Sequence, residues 1–172
     1  MLVNLSDVFT SEGRRINMEA PLEMTAFRNG TECFEIVEKT PISFMFTNIE
    51  AGKVRAEGNV RLTLSANCDR CLTETTVALD LDFEHCLVSH DIPSEDPEDL
   101  SFMEGDQLDT ETFVYNEISV NWPAKILCRN DCKGLCPKCG QNLNERDCGC
   151  DTFVPDPRMA VIQDIFNANK EV

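Results

Sequence analysis

With 172 residues, 42% of them apolar, the chain has the length of one domain and enough hydrophobic surface to form a core without disulfides. A formal charge of -16 argues against a generic nucleic-acid binder, because phosphate contacts are built from Lys and Arg. The acidity is localised: residues 1–70 hold 8 basic and 10 acidic side chains, residues 71–124 hold 0 and 14, and residues 125–172 hold 7 and 7.

The opening stretch MLVNLSDVFTSEGRR has no basic run ahead of an apolar core, and no later stretch has the length and apolarity of a membrane span. The protein therefore reads as soluble and cytoplasmic. Period-two alternation then marks strands at Leu22 to Phe27, Phe34 to Glu38, Ile42 to Ile49 and Lys53 to Glu57, with Glu50-Ala51-Gly52 suited to a hairpin turn. The clearest patterns are Val60 to Ser65 and Val77 to Glu84, each with one wet face. No ten-residue helix separates these strands, which excludes a doubly wound parallel sheet. The predicted class is α+β: an antiparallel meander of five or six strands, or a partly closed barrel, with a few helices and a C-terminal cysteine-rich zinc-binding tail.

Residues 89–109 are rich in Asp, Glu, Pro and Ser and lack periodic apolar residues, so they are expected to form an acidic loop. Asp109 can cap a helix over about 110–121, with Phe113, Val114, Glu117 and Ile118 on the helical repeat and Pro123 beyond its end. Asp156-Pro157 can start a short closing helix with Met159, Ile162, Ile165 and Phe166 as its apolar stripe. The expected organisation is a sheet core over 1–126, containing the acidic loop and the first helix, then a zinc-binding tail and closing helix over 127–172.

Ten cysteines in a cytosolic chain point to metal or redox chemistry rather than to a disulfide framework. In Cys136-Pro137-Lys138-Cys139-Gly140 the two-residue spacing lets both sulfurs face one ion, while Pro and Gly permit a turn that aims backbone N–H groups at the thiolates. Cys148-Gly149-Cys150 supplies two more thiols, and four soft ligands suit zinc. The stretch from Lys138 to Asp151 is too polar to bury these four as ordinary apolar thiols. A second pair, Cys68-Asp69-Arg70-Cys71, lies between two predicted strands, and Cys128 with Cys132 is the remaining close pair. The economical pairing gives two four-thiolate sites; the competing one lets Cys128 or Cys132 complete the first site. A reduced pair at a strand end is the bland reading of Cys68 and Cys71. Cys33 and Cys86 read as half-buried strand thiols.

The turn Cys68-Asp69-Arg70-Cys71-Leu72, the acidic middle, and the tail Cys128-x3-Cys132-x-Gly134-Leu135-Cys136-Pro137-x-Cys139-Gly140-x-Asn142-Leu143-Asn144 occur in that order. In this combination the sequence resembles the YceD family of large-subunit ribosomal RNA accumulation proteins over nearly its whole length. The resemblance implies a role in accumulation of the large-subunit ribosomal RNA, with no enzymatic activity assigned. Some members resemble this chain only in the Cys-x-x-Cys turn and a later His or Cys pair, which favours grouping Cys68 and Cys71 with Cys128 and Cys132.

Charge then suggests a non-enzymatic assembly factor whose acidic middle, residues 74–117, holds a basic large-subunit ribosomal protein or a pre-ribosomal particle. The bland counterpart is a merely solvated acidic run. The alternative is direct rRNA contact through the zinc tail, where Lys125, Arg129, Lys133, Lys138 and Arg146 interleave with the cysteines. Against it, Asp131, Glu145, Asp147 and Asp151 cancel most of that charge, and Phe153 is the one aromatic nearby for stacking. An enzyme is not expected: there is no Gly-rich phosphate loop or nucleophile elbow, and four thiolates would close a zinc shell. His85 and His90, the only histidines, fit no catalytic motif and read as surface or strand-edge residues. No membrane or small-molecule substrate is implied.

Overall fold

The computed structural model describes residues 1–90 and 101–150. In chain order these form β1 (Leu2–Asn4), α1 (Ser6–Thr10), β2 (Arg15–Ala20), β3 (Ala26–Asn29), β4 (Glu32–Lys39), β5 (Ile42–Glu50), β6 (Lys53–Asn67), β7 (Glu74–Val88), β8 (Met103–Glu104), β9 (Gln107–Asp109) and α2 (Thr110–Val120).

The larger sheet is antiparallel throughout and is organised by β6. One edge of β6 is followed by β5 and then β4, from Glu50 opposite Lys53 to Ile36 opposite Leu64. These two strands act as one interrupted strand, broken where Pro41 has no N–H to donate. Thr40 spans the break: its N–H donates to Arg61 O at 2.9 Å, and Arg61 N–H donates to Thr40 Oγ1 at 3.0 Å. Beyond them, β2 pairs with β5 and β3 with β4. The other edge of β6 is followed by β7 over its whole length, from Lys53 opposite Val88 to Asn67 opposite Glu74, without a register shift.

Alternation places Phe44, Phe46, Val54, Ala56, Val60, Leu62, Leu64, Leu81, Phe83 and Leu87 inside. Helix α2 closes this face with Phe113, Val114 and Ile118, all fully buried. Phe113 lies 4.8 Å from Phe83 and 5.7 Å from Phe44, ring centre to ring centre, within the range of favourable aromatic pairing. Gly58, opposite both Phe44 and Phe83, is required by close approach, because a Cβ there would come within 1.8 Å of Ser43 O. At the other end, buried Asn48 donates from Nδ2 to Val8 O at 2.7 Å and Phe9 O at 3.2 Å, anchoring the carbonyls of α1.

Several expectations change. The strand expected over Leu22 to Phe27 begins only at Ala26, after a link that opens with Pro21. The patterning gave no sign of β1, α1 or β2. The segment expected as an acidic loop over 89–109 is a hairpin in its described part: β8 and β9 join β1 in a three-stranded sheet, with Phe102 and Leu108 buried. Residues 91–100, and the closing helix expected after Asp156, lie outside the described residues. Cys33 and Cys86 are exposed rather than half-buried, since both occupy outward positions of their strands. His85 is not a bare surface residue either: its Nε2 lies 2.7 Å from Oε1 of Glu117 on α2.

By internal contacts the chain divides into two compact units. Among the described residues, one comprises 1–68, 73–90 and 101–128; the other comprises Asp69–Leu72 and 129–150. Among the described residues, no helix is long and apolar enough to cross a membrane.

Candidate metal centres

The turn between β6 and β7 is closed by Cys68 N–H donating to Thr73 O at 2.9 Å. Leu72 takes a left-handed conformation within it, with φ of 58°. Arg70 at its tip donates from Nη1 to Cys132 O at 2.8 Å, and its own carbonyl accepts from Leu135 N–H at 3.1 Å. Gly134, with φ of 79°, lets the two backbones meet: a Cβ there would stand 3.0 Å from Arg70 O.

A small hairpin follows. Leu135 bridges Asn142, Cys136 N–H donates to Gln141 O at 2.8 Å, and Gly140 N–H donates to Cys136 O at 2.9 Å. This is the knuckle turn expected from Cys-Pro-Lys-Cys-Gly. Asn144 then reaches back: its Nδ2 donates to Cys132 Sγ at 3.3 Å, while its Oδ1 accepts from Lys133 N–H and Arg129 Nη2, both at 2.8 Å.

These local devices gather eight cysteines into two groups. Cys68, Cys71, Cys128 and Cys132 form one, Cys136, Cys139, Cys148 and Cys150 the other, and within each the four sulfurs lie within 4.8 Å of one another. A tetrahedral ion with bonds of about 2.3 Å to sulfur holds its four ligands about 3.8 Å apart, so both groups fit one ion by small side-chain adjustment. The first group is the more enclosed, with Cys68, Cys71 and Cys132 buried; in the second only Cys136 is buried and Cys139 is exposed. Cys33 and Cys86, like His85 and His90, belong to neither group.

The thiols of the second group are electrostatically unequal. Backbone N–H groups of Cys139 and then Lys138 donate to Cys136 and lower its pKa to about 6. Cys150 is pushed up to about 12, first by its hydrogen bond to Cys148, then by that to Cys139, with burial and the charge of both adding to the effect.

Sequence spacing identified the sulfurs but not the residues that position them. Arg70, Gly134 and Asn144 act through the backbone and ligand orientation, in the way that outer-shell partners orient metal ligands. Asn144 stands in the motif noted above, but nothing in its spacing announces a hydrogen bond to sulfur.

Fold and site together define an antiparallel β protein carrying two four-cysteine groups positioned to hold metal ions. The family described as large ribosomal RNA subunit accumulation protein YceD matches residues 56–166, from within β6 through both cysteine groups. The chain belongs to this YceD family. A curated relative, the large ribosomal RNA subunit accumulation protein YCED homolog 1, chloroplastic, of Arabidopsis thaliana, is 26% identical over 127 residues. That alignment covers 57% of this chain and 40% of the relative, so the chain spans less than half the relative's length. No solved structure matches.

Proposed function

We propose that this chain is a non-enzymatic zinc-binding factor that supports large ribosomal subunit assembly and large-subunit rRNA accumulation by holding a basic ribosomal protein. Family membership supports the process. The observation that carries the mode of action is the charge of residues 71–124: 14 carboxylates and no Lys or Arg. Ribosomal proteins that neutralise rRNA are basic, and an acidic surface holds them off other polyanions until delivery.

In this reading Cys68, Cys71, Cys128 and Cys132 bind one zinc ion and Cys136, Cys139, Cys148 and Cys150 another, both structural. Four sulfur donors select zinc over harder ions, and a filled tetrahedron leaves no position for substrate. Each filled site adds a charge of about −2, which reinforces the preference for a basic partner. Direct rRNA binding through the cysteine-rich stretch has less support, because Arg129 is engaged by Asp131 at 3.3 Å and by Asn144.

Binding to purified large-subunit proteins, measured at low and high salt, tests the reading. The expected outcome is selective capture of one or a few basic proteins, weakening steeply with salt. Affinity indifferent to salt, or absent for every basic candidate, contradicts it. Crosslinks from RNA to residues 125–150 would instead favour the rRNA reading.

A further inference from the structure

The outer edge of β7 is guarded by acidic side chains alone. Long edge strands are normally protected by charged side chains, Lys above all, by Pro, by a bulge, or by brevity, because a row of unpaired N–H and C=O groups templates another strand. β7 is 15 residues long, holds neither Lys nor Pro, and runs beside β6 without a bulge. Among the described residues no strand pairs with its other edge.

Its outward side chains say what could pair there. Asp80, Asp82 and Glu84 stand at alternate positions on the exposed face, about 7 Å apart along the strand. Asp80 contacts Arg61 at 3.0 Å and Glu84 contacts Arg55 at 3.4 Å, both on the β6 side. Asp82 lies opposite Asn59, with no ion pair among the described residues. A carboxylate has lone pairs to accept from both flanks, so each can take a second cation from a strand added outside.

The same row disfavours a second copy. Two copies pairing antiparallel about Asp82 would set Asp82 against Asp82 and Asp80 against Glu84, and like charges directly opposite are destabilising.

We propose that the edge of β7 is the docking site for an extended basic segment of the partner, which adds to the sheet as a strand with Lys or Arg at alternate positions opposite Asp80, Asp82 and Glu84. This rests on the reading that the partner is a basic protein, and it specifies how that protein is held: backbone ladder bonds supply affinity, and the charge row supplies register.

Full-length protein and a fluorescent peptide of about nine residues, with Lys at three alternate positions among Thr and Val, provide the test. The peptide is compared with two isomers N-methylated at either the odd or the even residues, and with a scramble whose lysines are contiguous. One methylated isomer should bind at least about tenfold more weakly than the parent while the other binds like it, because only one set of N–H groups faces β7. The scramble should also weaken, and Asp82→Lys should abolish the preference for the parent without altering the circular dichroism spectrum. Equal affinity for all four peptides, or equal loss with both methylated isomers, overturns the proposal but leaves an acidic holding surface intact if binding is salt-sensitive. No binding of any peptide at low salt also overturns the proposal, while the acidic holding surface stands or falls on capture of basic large-subunit proteins.

Discussion

Asn144 shows how one uncharged side chain can tie a cysteine to the turn around it. Its amide donates to Cys132 Sγ and its carbonyl gathers Lys133 N–H and Arg129, so the sulfur, the turn and the guanidinium are fixed together. Asn144→Ala removes these three contacts, and a fourth from Nδ2 to Asn142 Oδ1 at 2.9 Å, and leaves the cysteines in place. Zinc affinity at one of the two sites should fall by about 10–100-fold, read by chelator competition, with the other site unchanged. Equal retention at both sites would show that Asn144 has no such role. The cysteines were legible as ligand candidates because a two-residue spacing is a local property. Their grouping was left open by spacing alone, since it depends on a chain reversal that brings Cys128 and Cys132 back to the turn at Cys68 and Cys71.

At the scale of elements, the long strands were legible where one face is wet and the other dry, as in Val60 to Ser65 and Val77 to Glu84. The short ones were not: β8 and β9 are 2 and 3 residues long, too brief to show a period, and their acidic composition argued for a loop. Gly58 is the weak point of the sheet, since any Cβ meets Ser43 O and Phe83 Cζ. Gly58→Ala should destabilise the fold by about 1–3 kcal/mol in denaturant unfolding, and an unchanged midpoint would contradict this packing. Helix α2 depends on Asp109, which accepts from Glu111 N–H at 3.2 Å and Thr112 Oγ1 at 2.7 Å. Burial alone would raise the Asp109 pKa, but the hydrogen bonds from Thr112 and Glu111, together with the N-terminal ammonium, outweigh it and hold the carboxyl below its ordinary range. A depressed carboxyl pKa stabilises the folded state at pH above the unfolded value of about 4 and loses that contribution as pH falls through the lower folded value. Asp109→Ala should therefore cost about 1 kcal/mol at neutral pH and progressively less below pH ~4. A cost independent of pH would place the effect elsewhere.

For the whole molecule, a sheet built on β6 presents an acidic edge strand, and the chain between β6 and β7 leads into a compact unit rich in cysteine. Composition conveyed the acidity, and the location of the charge conveyed more: the formal -16 comes almost entirely from the stretch that contains β7, β9 and α2. What composition could not convey is that part of this stretch is an ordered, unpaired strand edge, which depends on pairing partners rather than on the residues of β7 themselves. The structural reading of the cysteines presupposes that the thiols are spent on metal. Elemental analysis of protein purified without chelator decides this directly. The account predicts two zinc ions per chain, one for each four-cysteine group. One ion would reduce it to a single site, and none, with ten titratable thiols, would contradict it.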